Sequence, residues 1–231
     1  MAYVALSVED FQTLVQPLVG LTVSLPWKGY GSAIFLELGE LAPLNSKRRH
    51  HNAGEANISV QCDWRVESES TVIYGSSMSG NKITSGIDTL KGKTIQSLLV
   101  VGQIPELIVQ FSNGHSLRSM VMAAGDPEWA IKLQDGRWVH AKAGSLVIGN
   151  GPTGGLSKEE KDVFDLAESA ASRWGIPKAN PTQGSCRNCA SFVPIDGEGH
   201  LLDYGVCLSS AGPFDGRVVS RDSGCPSFRE K

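Results

Sequence analysis

The chain has 231 residues, a formal net charge of −3 and 41% hydrophobic residues, which excludes a largely disordered chain and allows one large domain or two modest ones. A nucleic-acid binder working through phosphate contacts would be more basic. No run approaches the roughly 18 apolar residues of a membrane span, and MAYVALSVEDFQTLVQ contains no Lys or Arg, so a secretory signal is not expected and a cytoplasmic location is.

Ser7 and Asp10 stand at capping-box spacing, and Phe11, Leu14, Val15 and Leu18 share one helical face, which predicts a helix over 7–18 that Pro17 and Gly20 bring to an end. From there to about Ile148 the texture is β-branched and alternating. LTVSL, AIFLEL, ANISVQCDW, TVIYGS, TIQSLLVV, ELIVQF, WAIKL and WVHAKAGSLVIG are separated by Gly, Asn, Asp and Pro, which predicts a β-rich domain over 1–148. An internal echo runs through it. Leu18–Val23 and Leu90–Ile95 both read L-x-G-x-T followed by a β-branched residue. Each is followed by an apolar strand (Ile34–Leu38, Leu107–Phe111) and then by an acidic residue before a Trp (Asp63–Trp64, Glu128–Trp129). The expectation is two similar β-subdomains or one duplicated sheet.

Residues 149–156 form a linker, because GNGPTGG places four glycines and a proline in seven positions. Ser157 with Glu160 then opens a second capping box, and Val163, Leu166, Ala167, Ala170 and Trp174 fall at helical spacing until Gly175, Pro177 and Pro181. The predicted class is α+β, mainly β: the β-rich domain, then a small helix and a four-cysteine metal-binding domain over 157–231.

Four of the five cysteines, Cys186, Cys189, Cys207 and Cys225, lie in that last segment, spaced as C-x2-C, seventeen residues, Cys, seventeen residues, Cys. Aliphatic side chains are scarce there, so burial alone does not account for order, and four soft thiolates suit zinc or an iron–sulfur cluster. In a reducing compartment metal binding is the first expectation for such a set. Phe192, Tyr204, Phe214 and Phe228 are expected as an aromatic shell, and Gly205 and Gly224 as points where backbone N–H groups approach sulfur. Cys62 sits in a strand pattern and reads as a small buried apolar residue rather than a fifth ligand.

At CRNCASF, YGVC, PFDGRVVS and SGCPSF the segment resembles the high-potential iron–sulfur proteins and the small cluster-binding subunits of some glycyl-radical enzymes. The resemblance implies a 4Fe-4S cluster on Cys186, Cys189, Cys207 and Cys225, with zinc as the alternative. The gap from Cys207 to Cys225 is longer than is usual there, and Ser223 stands where that family often has Gly. The same pattern is similar to that of uncharacterised actinobacterial proteins carrying C-x2-C, GVC, DGRVVS and GC.

A search for catalytic motifs returns neither a G-x-S-x-G elbow at GSSMSG, which reads as a loop, nor a phosphate loop, H-E-x-x-H or dinucleotide fingerprint. A non-enzymatic role is the expectation. CDWRVES, LKGKTIQSLLVVGQIPELIVQFSNGHSL and DPEWAIKL resemble small bacterial domains found among the immunity proteins of polymorphic toxins. That resemblance implies a protein that binds a cognate toxin, such as a nuclease, and blocks it. The candidate contacts are the basic run Lys47, Arg48 and Arg49 and the acidic helix residues Glu159, Glu160, Asp162, Asp165 and Glu168, which suit a basic toxin. The alternative is a small iron–sulfur electron-transfer or redox-sensing protein.

Overall fold

The structure is a computed structural model that describes residues 3–29, 31–43, 52–122, 128–142, 144–150, 158–176, 184–195, 201 and 203–230. The chain divides into two compact units, Met1–Thr153 and Gly154–Lys231. Its architecture is α+β and mainly β. Among the described residues no helix is long and apolar enough to cross a membrane.

The first unit runs β1 (Val4–Ala5), α1 (Val8–Val15) with a 3-10 turn (Gln16–Leu18), β2 (Val23–Lys28), β3 (Ile34–Leu38), β4 (Ala56–Val60), β5 (Asp63–Glu67) and β6 (Val72–Gly75). It continues with α2 (Gly80–Asp88), β7 (Ile95–Val101), β8 (Glu106–Phe111), β9 (Ser116–Met120), β10 (Trp129–Lys132), β11 (Trp138–Lys142) and β12 (Ser145–Gly149). Two antiparallel sheets result, one ordered β1-β12-β11-β10-β4-β3-β2 and the other β6-β5-β9-β8-β7. Ser7 caps α1 as expected, its hydroxyl oxygen accepting the Asp10 N–H at 3.0 Å. The run ANISVQCDW is two strands rather than one. It breaks at Gln61–Cys62, where the chain passes from the first sheet to the second and both N–H groups turn to the Glu128 carbonyl at 2.9 and 3.2 Å.

The echo is a duplication with exchanged strands. Gly20 N–H donates to the Ile95 carbonyl and Gly92 N–H to the Val23 carbonyl, both at 2.8 Å; Ile95 N–H reaches Leu21 and Val23 N–H reaches Lys93, at 2.9 and 2.8 Å. The two echo segments therefore pair with each other antiparallel, with Thr22 opposite Thr94, and the pattern maps onto itself when the copies are swapped. Further details repeat. A β-bulge lies between Val23 and Leu25 in β2 and between Ile95 and Ser97 in β7. β10 of the second copy pairs with β4 of the first, Trp129 opposite Val60, and β5 of the first pairs with β9 of the second, Trp64 opposite Ser119. α1 packs on β7 and α2 on β2. Each copy's helix and returning strand thus complete the other copy's sheet.

One core joins both sheets. Phe11 and Val15 from α1, Ile83 and Ile87 from α2, and Trp64, Trp129, Leu36, Ile58, Val109 and Phe111 from the strands all lie in it. Burying each such side chain contributes roughly 1.5–3 kcal/mol. α2 begins at the last residue of GSSMSG, which is otherwise the expected loop, and runs through NKITSGID, a stretch with no predicted element. Its first and seventh residues are glycines, which weaken helix propensity, yet Gly86 is needed: a Cβ there would come within 2.7 Å of the Tyr74 ring. Tertiary packing through Ile83 and Ile87 outweighs the propensity.

In the second unit α3 (Lys158–Arg173) is followed by a 3-10 turn (Cys186–Asn188) and a three-stranded antiparallel ribbon, β13 (Phe192–Pro194), β14 (Tyr204–Cys207) and β15 (Val218–Ser220), in the order β13-β14-β15. α3 ends as its sequence implies. Gly175 takes φ +61°, its N–H bonds to the Ser172 carbonyl, and Ile176 N–H bonds back to Ala171 at 3.0 Å, a Schellman closure. Ser157, its expected cap, and residues 151–156 of the expected linker lie outside the described residues.

Candidate metal centre

The four C-terminal cysteines are brought together by backbone pairing between segments distant in sequence. Cys186 N–H donates to the Ser223 carbonyl at 2.7 Å, which sets the C-x2-C turn beside the loop leading to Cys225. Cys189 bridges to Glu230, and Ala190 N–H donates to Arg229 at 2.7 Å. β13 then places Phe192 opposite Cys207. After Cys207 the chain loops out and returns through Gly216, at φ +68°, whose N–H donates to the Cys207 carbonyl at 2.8 Å.

Two turns are alike. Cys189 N–H folds back to the Cys186 carbonyl at 3.0 Å, and Phe228 N–H to the Cys225 carbonyl at 3.1 Å. Ser223, two residues before Cys225, is fully buried, and its hydroxyl oxygen accepts the Ser220 N–H at 3.0 Å.

All four side chains are buried, at 5–6% exposure, and none is in a disulfide. Cys186, Cys189 and Cys207 form a small apolar cluster with Phe192 and Val219, against which Phe214 and Phe228 pack. Among the described residues this cluster is the core of the ribbon, and it is too small to order it by the hydrophobic effect alone. Burial first, and then the charges of Cys189, Cys225 and Cys207, push the Cys186 thiol up to about 11. Cys186 is thus near enough to each of the other three to feel its charge. Among the described residues, however, no group of three or more His, Cys, Asp or Glu side chains is set to hold a metal ion as it stands. The donor set matches a tetrathiolate site in chemistry and in burial; the side chains share one knot without closing around a point.

Two expectations about the shell are corrected. A Cβ on Gly205 would collide with the Phe192 ring and the Val193 carbonyl oxygen, so the glycine admits an aromatic ring rather than exposing an N–H to sulfur. Tyr204 is not in the cluster. Strand alternation puts Gly205 and Cys207 on one face of β14 and Tyr204 on the other, where it meets α3. Ser223 carries a signal that spacing could not give, since a buried serine is recognisable only once its partner Ser220 is placed.

Cys62 belongs to the first unit, packed half-buried against that core, and burial pushes its thiol up to about 11. Of the candidate contact residues, Lys47, Arg48 and Arg49 lie outside the described residues, as do the side chains of Glu159 and Glu160. Asp162, Asp165 and Glu168 are exposed on α3.

A family model described as a protein of unknown function (DUF3027) matches residues 165–231. The match takes in the second half of α3, the ribbon and all four cysteines, and none of the duplicated β-unit. No curated protein and no solved structure matches the chain.

Proposed function

We propose that the chain is a partner-binding protein of the immunity type, acting by covering the working surface of a toxin, and that its C-terminal unit folds around a metal held by Cys186, Cys189, Cys207 and Cys225. The observation that carries the metal reading is the convergence of four buried thiols from separate segments in a ribbon with hardly any other core. Buried thiols repel one another as thiolates; a cation at their centre removes that cost and supplies the missing folding free energy. Zinc is favoured over a 4Fe-4S cluster because three antiparallel strands with a C-x2-C turn suit a closed, four-coordinate structural site. The metal's part is to cross-link the ribbon.

The partner reading draws on the exposed carboxylates of α3, Asp162, Asp165 and Glu168, which would face a basic nuclease surface, and on the resemblance of the β-unit's sequence to immunity-type domains.

Metal and acid-labile sulfide analysis of freshly purified protein, with a visible spectrum, tests the first half. One zinc per chain is expected. Iron with equimolar sulfide and absorbance near ~400 nm would instead support the redox alternative; a fully folded ribbon with neither metal would overturn the reading. Growth of cells expressing a toxic nuclease, with and without the chain, tests the second half. Rescue that persists after charge reversal at Asp162, Asp165 and Glu168 would remove α3 from the contact.

A further inference from the structure

We draw no further inference here: the strongest candidate, the N-terminus of α2, where the Lys28 side chain lies beside Gly80 and Lys82 stands in the first turn, is a helix end with lysines near it, and among the described residues no buried, unpartnered side chain points a ligand to it.

Discussion

Trp64 and Trp129 make the same hydrogen bond in the two copies of the duplicated unit. Trp64 donates its indole N–H to the Ser32 carbonyl and Trp129 to the Pro105 carbonyl, each at 2.7 Å and each in the turn ahead of its own copy's apolar strand. Both indoles are almost wholly buried, and each sits in the sheet led by the other copy's strands. A single bond in each copy therefore ties the exchanged strand back to its own hairpin. Phe at either position keeps much of the bulk and removes the donor, leaving a carbonyl without its partner at a cost of about 1–3 kcal/mol. The Trp129 bond is the more deeply buried of the two, so Trp129→Phe should lower the urea midpoint of the first unit more than Trp64→Phe. The reverse order would contradict the assigned environments.

Gly20 and Gly92 hold equivalent left-handed conformations, φ +92° and +77°, at the point where the copies pair. Nothing lies within 4 Å of a Cβ built on either, so Ala would be strained by backbone conformation alone, about 1 kcal/mol each. Gly54 is different in kind, since a Cβ there meets the Leu38 backbone, its nitrogen at 2.6 Å. Thermal melts should show small, similar losses for Gly20→Ala and Gly92→Ala and a much larger one for Gly54→Ala.

The duplication was legible because its pairing centre needs a glycine in each copy, where the positive φ of Gly20 and Gly92 restricts the choice. The exchange of strands was not, because pairing partners distant in sequence leave no local trace: nothing around Val60 or Ser119 in the sequence says that they lie opposite Trp129 and Trp64 of the other copy rather than within separate subdomains. α2 was hidden by its two glycines, although the echo itself pointed to it, since α1 stands at the same place ahead of its own L-x-G-x-T. The cysteine set was legible from spacing, its convergence only from the pairing of residues 186–190 with 223–230. The stripe of α3 was visible as helical spacing, but whether a stripe faces a core or solvent depends on neighbours that periodicity does not specify.

Cys62 and Tyr74 make the first unit sensitive to alkali. Burial pushes the Cys62 thiol from 9.0 to about 11 and the Tyr74 phenol from 10.0 to about 12. In both, the folded state holds its proton at a pH where the unfolded chain has lost it, so stability is full below about pH 9 and falls as pH rises through the two windows. Cys62→Ala should flatten the decline between about pH 9 and 11 and leave the higher one, read as urea midpoints against pH. A decline unchanged by the substitution would show that Cys62 is not held protonated.

Gly205 and Ser223 lie beside the thiol knot in β14 and in the loop before Cys225, and neither is one of the four thiol donors. Ala at Gly205 would drive a methyl into the Phe192 ring and the Val193 carbonyl oxygen, so β13 would have to separate from β14 and carry Cys189 away from Cys207. Ala at Ser223 removes the oxygen that accepts the Ser220 N–H at 3.0 Å in a fully buried site, a loss of about 1–3 kcal/mol. It leaves intact the Ser223 carbonyl that receives the Cys186 N–H. If the four thiols hold a metal, Gly205→Ala should be purified with little of it and Ser223→Ala with a full complement that is lost faster to a competing chelator. The β-unit, with its own core, should melt as in the unmodified chain in both. Full metal retention by Gly205→Ala would mean that the ribbon pairing does not position the ligands, and the site would then have to be formed by the turns at Cys186 and Cys225 alone.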